Sequence, residues 1–239
     1  MLYFIFGLFV GSFLNCVIYR IEKGKSFITG RSFCPRCNHE LAWYDLIPVF
    51  SFLVLKGKCR YCQKRISMQY PLIELLTGFL FFLAGFYFGF NLYALLMIPL
   101  FIIIAVYDLK HFLIPDKVVY LAIGLALLAS LVSFQWQNIV AGLSASLFFF
   151  LIWHFSKGKW MGFGDVQIAL AMGFFLGFPN ILVGLFLSFF IGAVTGIVLM
   201  MLKRKKMKSE VPFGGFLVLG TFLALFFGNE IVNWYLSLL

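Results

Sequence analysis

Nine Asp and Glu residues interrupt a 239-residue chain that is 63% hydrophobic. Four of them stand in or beside long apolar runs: Glu74, Asp108, Asp116 and Asp165. An aspartate at the centre of a membrane helix costs about 2.5–3.5 kcal/mol on insertion scales, so such carboxylates are functional candidates by default. Asp108 closes an apolar run in YDLKHFLIPD (107–116), and Asp165 opens one in GFGD (162–165). Two carboxylates brought together cannot both ionise easily; one keeps its proton while the other stays charged. Aspartyl hydrolysis needs that division, because one carboxylate activates water and the other donates a proton to the carbonyl oxygen. Such a pair titrates as a unit. Gly162 and Gly164 would let a backbone or substrate strand approach Asp165 closely. Simpler readings stay open. Asp165 could cap a following helix, capping is the main reading of Asp116, and Glu74 could hydrogen-bond within a bundle.

Eight apolar segments must position these residues: about 1–19, 70–88, 92–107, 118–134, 138–155, 166–178, 181–202 and 212–228. Runs near 20 residues suffice to cross about 30 Å of hydrocarbon as helices. FGFN (88–91), FQWQN (134–138) and GFPN (177–180) read as tight turns at the membrane surface. The 19 Lys and Arg fall into four segments: ten in 20–69, two in 108–117, two in 156–166 and five in KRKKMK (203–208). In this topology all four lie on one side. The positive-inside rule makes that side the cytoplasm and puts both termini outside. The net charge of +10 then reads as orientation and contact with anionic lipid in the bilayer, with no nucleic-acid partner. The first run has no basic n-region or small-residue cleavage site and reads as a retained span. No internal repeat or low-complexity linker stands out.

The one sizeable polar segment, 20–69, holds four of the five cysteines, as CPRC (Cys34, Cys37) and CRYC (Cys59, Cys62) with 21 residues between the pairs. Two Cys-x-x-Cys knuckles at this spacing form the ligand set of a tetrahedral zinc ribbon. Two disulfides are the alternative, disfavoured where cytoplasmic thiols are kept reduced. Four thiolates leave no open position, so the zinc is expected to be structural. A domain of about 50 residues with few aliphatic side chains needs such a staple. Cys16 reads as a small packed residue in the first span. Glu22, Glu40 and Asp45 read as surface or capping residues.

The expected fold is an all-α polytopic membrane protein: about eight transmembrane helices, with a small cytoplasmic zinc-ribbon-like domain between the first two. Its divisions are residues 1–19 (first helix), 20–69 (four-Cys domain) and 70–239 (membrane domain carrying the aspartates).

Motifs coincide in order along nearly the whole chain: GSFLNCVIYR (11–20), CPRC, WYDLIPVFSFLVLKGKCRYC (43–62), ISMQYPLIELLTG (66–78), YDLKHFLIPD, GFGD and VPFGGFL (211–217). With them the sequence resembles the bifunctional type IV prepilin peptidase and N-methyltransferase family, competence-type enzymes included. The resemblance implies a Gly-x-Gly-Asp aspartyl peptidase of the bacterial plasma membrane, with Asp108 and Asp165 as catalytic residues. It implies prepilin or pseudopilin substrates, whose basic leader is cut on the cytoplasmic side just before their hydrophobic helix. It also implies N-methylation of the new terminus with S-adenosylmethionine. That activity is associated with the 20–69 domain and linked to Gly57 in KGKC. Two positions depart from the family pattern. Gln167 stands where a lysine is common, which removes a nearby cation, and PFGG (212–215) replaces PFGP, which loosens a turn. No Gly-rich nucleotide fingerprint supports methylation from the residues themselves. The rival readings are a transporter using membrane carboxylates, a non-enzymatic assembly scaffold, and a peptidase that does not methylate.

Overall fold

Lipid offers no hydrogen bonds, so a chain this apolar must satisfy its backbone internally, and helices do so within one segment. The computed structural model describes residues 1–24, 26, 30–202 and 212–238. The basic stretch KRKKMK and Val211 lie outside the described residues. Among those described there are nine α-helices: α1 Leu2–Glu22, α2 Phe50–Val54, α3 Gln69–Phe88, α4 Leu92–His111, α5 Asp116–Val132, α6 Trp136–Ser156, α7 Phe163–Leu176, α8 Asn180–Met201 and α9 Gly214–Leu236. A 3-10 turn covers Trp43–Leu46, and extended pairing among the described residues is limited to two isolated bridges.

The all-α expectation holds, and each of the eight expected apolar segments corresponds to one long helix. Six of these helices, α1, α3, α4, α6, α8 and α9, are long and apolar enough to cross a membrane. The other two are shorter: α5 has 17 residues and α7 has 14, about 26 and 21 Å at 1.5 Å per residue. Helix ends differ from the hydropathy limits. α4 runs to His111, not 107, and α7 starts at Phe163, not 166. Asp108 and Asp165 are therefore inside terminal helical turns. The cause is that a helix continues past its apolar stretch when its end charges suit the dipole. The last turn of α4 carries Lys110 and His111, and the first turn of α7 carries Asp165.

The chain divides into two compact units, Met1–Ile102 and Ile103–Leu239, with the boundary inside α4. In the first unit α1 packs along α3. Contact is close because Gly7 and Gly11, four residues apart, have no side chain. A Cβ at Gly7 would lie 2.8 Å from the Gly78 Cα, and one at Gly11 2.7 Å from the Glu74 Cα. Small residues at this spacing let membrane helices approach backbone to backbone. In the second unit α7 is central, packed by α5, α6, α8 and α9, and ten of its 14 residues are buried. The Ser130 hydroxyl of α5 donates to the Phe174 carbonyl of α7 at 3.2 Å. α8 instead exposes an apolar stripe of Leu182, Phe186, Phe190 and Val194, a lipid-facing surface by its composition and i, i+4 spacing.

Gly11→Leu is expected to destabilise the first unit by about 1–3 kcal/mol through overpacking. Gly124→Leu, whose Cβ would meet nothing within 4 Å, serves as the control. Thermal unfolding of the detergent-solubilised protein checks this: the midpoint should fall for Gly11→Leu and stay near the parent's for Gly124→Leu.

Candidate functional site

Asp108, in the last turn of α4, is 5% exposed, and Asp165, in the first turn of α7, is 7% exposed. Separated by 57 positions in sequence, they are close enough to interact electrostatically. Backbone N–H groups lie against both carboxylates. The Gly215 N–H donates to Asp108 Oδ2 at 2.9 Å, and the Gly214 N–H faces the same carboxylate. These two residues open α9. A Cβ at Gly214 would sit 2.8 Å from Asp108 Oδ2, so the glycine leaves room for the carboxylate. Asp165 faces the N–H of Gly162, the N-cap of its own helix. The capping reading of Asp165 is thus corrected: it is the third residue of α7 and not its N-cap, and it answers the helix start by reaching back to the Gly162 N–H.

The glycines of GFGD differ in purpose. Gly164 is closely covered by Ile114, whose Cδ1 and Cβ would collide with any added side chain. A Cβ on Gly162 would have its nearest contacts at 4.0 Å, one of them Asp165 Oδ2. Gly164 therefore seats the 112–115 loop, whereas Gly162 stands in open space beside the carboxylate. Asp116 corrects the capping expectation. It is the first residue of α5, after N-cap Pro115, and makes no side-chain cap bond. Gln167 turns to α5, its Nε2 donating to the Tyr120 hydroxyl at 2.9 Å. The PFGG departure does more than loosen a turn, since Gly215 supplies an N–H that a proline could not. Sequence reasoning missed these α9 donors; the available signal was a glycine pair at the head of an apolar run.

The four cysteines Cys34, Cys37, Cys59 and Cys62 converge, with all four Sγ atoms within 4.8 Å of one another. Zinc bonded at about 2.3 Å in a tetrahedron sets sulfurs about 3.8 Å apart, so the donor set fits that ion with a small contraction. All are free thiols, not disulfides. The two knuckles share one backbone design, a local repeat hidden in the sequence. In the first, the Cys34 N–H donates to His39 O and the Asn38 N–H to Cys34 O, while Phe33 bridges Glu40. In the second, Cys59 donates to Lys64 O and Gln63 to Cys59 O, while Lys58 bridges Arg65. Asn38 and Gln63 each take φ 57°. Burial raises the Cys34 thiol, but the Arg36 and Cys37 backbone N–H groups and the neighbouring thiols bring it down to about 7. Cys37 faces the His39 N–H, yet desolvation and the Cys34 and Cys62 sulfurs push it up to about 11. A cation held by the four sulfurs would displace the thiol protons.

The motif WYDLIP braces the second knuckle. Asp45 is more than a capping residue: its side chain is 4% exposed. Its Oδ1 accepts from Arg60 Nε at 2.8 Å, and its Oδ2 accepts from the Tyr61 hydroxyl at 3.1 Å. Next in the chain, Val49 adopts φ 61°, ψ −47°, with the Phe50 N–H bonded to Pro48 O at 2.5 Å. This γ-turn is rare, and strained for a β-branched residue. Glu74 holds it, accepting the Val49 N–H on Oε2 at 2.8 Å and meeting Ser12 of α1, so the hydrogen-bonding expectation for Glu74 is met. Gly57 has φ 69°, and a Cβ there would lie 3.0 Å from the Phe52 ring. Its carbonyl accepts from Ile66 at 2.8 Å. Gly57 therefore shapes the entry to the second knuckle.

The sequence matches two families: Bacterial Peptidase A24 N-terminal domain over residues 5–88 and Type IV leader peptidase family over residues 94–197. A Bacillus subtilis (strain 168) protein named prepilin leader peptidase/N-methyltransferase is 35% identical over 240 residues, covering 98% of this chain and 97% of its own. One of the same name from Legionella pneumophila is 32% identical, covering 99% and 95%. One from Myxococcus xanthus (strain DK1622) is 36% identical, covering 83% and 62%. No solved structure matches the chain.

Metal analysis of protein purified without chelators is expected to find about one zinc per chain, the stoichiometry of a four-Cys site. Cys34→Ser and Cys59→Ser should each lose most of it, whereas Cys16→Ser should keep it.

Proposed function

The chain belongs to the type IV leader peptidase family, and from that membership we propose its reaction. It is an aspartyl endopeptidase of the bacterial inner membrane that removes the leader of type IV prepilin-like proteins, with Asp108 and Asp165 as the catalytic pair. The observation that carries this is their proximity: two buried carboxylates, far apart in sequence, lie close enough to interact electrostatically, each with backbone donors beside it. The geometry suits water-activating hydrolysis. One carboxylate takes a proton from water as the oxygen attacks the scissile carbonyl, and the other gives its proton to the carbonyl oxygen. When the tetrahedral adduct collapses, the C–N bond breaks and the amide nitrogen leaves protonated. The substrate's apolar helix lies in the bilayer and its basic leader in the cytoplasm, so the scissile bond sits at the boundary, where water is available.

We assign the topology the same way: eight crossings, the cysteine domain and aspartates on the cytoplasmic side, both termini outside. The charge distribution supports this. The short α7 fits because its neighbours bury it, so its ends need not reach both membrane surfaces. The chain then divides as a first helix (1–19), a four-Cys domain (20–69) and a peptidase domain (70–239). Zinc, held by Cys34, Cys37, Cys59 and Cys62, supplies a fixed crosslink and no reactive position.

The relatives' names support N-methylation of the freed terminus as a second activity, and the four-Cys domain with Gly57 is the part assigned to it. S-adenosylmethionine would supply an electrophilic methyl group for the terminal amine. By its geometry Gly57 acts through the shape of the second knuckle.

Co-expression with a prepilin-like substrate, read by product mass, tests the proposal. Asp108→Asn and Asp165→Asn should each lower cleavage by several orders of magnitude with insertion unchanged, whereas Asp116→Asn should keep most activity. Near-parent processing by either of the first two variants would sink the pair. Gly57→Ala should cleave and leave the product unmethylated.

A further inference from the structure

We infer that Asp108 is the ionised member of the pair, the one that takes the proton from water, and that Gly215 is the positioning residue that keeps it so through its backbone N–H. This inference rests on the aspartyl pair proposed above. A helix dipole acts mainly through the unsatisfied N–H groups of its first turn, so the number reaching each carboxylate matters. Two reach Asp108, from Gly215 at 2.9 Å and from Gly214. One reaches Asp165, from Gly162. Asp108 also lies in the last turn of α4, where its own helix presents carbonyls and disfavours an anion; the first turn of α9 offsets that. Asp165 on α7 lies close enough to Asp108 to interact electrostatically. The start of α9, residues 212–216, brings no titratable group. Lys110 and His111 follow on α4 itself, and on α5 Tyr120 is engaged by Gln167.

The proton balance follows. Asp108 accepts a proton from water while Asp165 gives one to the carbonyl oxygen, which leaves Asp108 protonated and Asp165 ionised around a gem-diol. On collapse Asp108 protonates the leaving nitrogen, the C–N bond breaks, and Asp165 recovers a proton from a diol hydroxyl as the carbonyl re-forms.

The test is the pH dependence of kcat/KM for leader cleavage by the full-length protein, compared with Gly215→Ala and Gly215→Pro. Alanine keeps the N–H and adds a methyl that meets Leu109 at 3.3 Å. Proline removes the N–H and is accepted in a first helical turn. The acid limb should move up by about one pH unit in Gly215→Pro, the scale of one charge-assisted hydrogen bond, a roughly tenfold loss below the limb. The alkaline limb should stay, and Gly215→Ala, which keeps the N–H, should leave the acid limb at the parent's pH whatever its effect on the height of the profile. Movement of the alkaline limb alone would make Asp108 the acid and overturn the inference, and so would an unshifted profile. Should Gly215→Pro fail to fold, an amide-to-ester replacement at residue 215 removes the same N–H without a ring and must shift the same limb. Cleavage by Asp108→Asn would defeat the pair itself. An inactive Asp108→Asn beside an unshifted Gly215→Pro would defeat this inference alone.

Discussion

A carboxylate taken out of water must be solvated by the protein or lose its charge. That constraint organises the second unit. The ends of three helices converge on one point: the last turn of α4 brings Asp108, the first turn of α7 brings Asp165, and the first turn of α9 brings bare N–H groups. Side chains larger than hydrogen would spoil the meeting, which accounts for Gly164 under Ile114 and Gly214 against Asp108. The helices α5 and α6 pack against α7 and hold its start in place.

The first unit answers a different shortage. Among its described residues the segment between α1 and α3 contains only a 3-10 turn and one short helix, and it lacks the apolar bulk for a core. Its order comes from two knuckles of one design, converging sulfurs and a nearly buried aspartate that gathers Arg60 and Tyr61. The exposed Arg31–Glu40 pair adds little by comparison, since both side chains remain largely in water.

Much of this could be read in the sequence, for physical reasons. Hydropathy finds apolar helices because membrane crossing demands apolar length, and all eight long helices were located this way. It could not find their ends, because Asp108 and Asp165 remain helical after the apolar pattern stops. The Cys-x-x-Cys spacing reveals a four-sulfur cluster because two residues between cysteines suffice for one tight turn. Other partners stayed hidden because they belong to tertiary structure. Nothing near Gly215 in sequence points to Asp108, 107 positions away. Gln167 finds Tyr120 only once α5 and α7 pack, and the Gly7–Gly11 spacing gains meaning only when α3 lies against it.

The turn at Val49 ties two parts of the first unit into one mechanical element. A residue in so unfavourable a backbone state stores on the order of 1–3 kcal/mol, and a buried carboxylate on α3 holds it there. Asp45, four residues earlier, grips the second knuckle, and Glu74 stands in the second turn of α3. The path from sulfur cluster to helix is therefore short and stiff, more a splint than a tether. Loosening the cluster would release tension onto α3 and, through Ser12 and the Gly11 contact, onto α1. Oxidative damage at the thiols would thus be felt in the helix pair as well as in the polar domain.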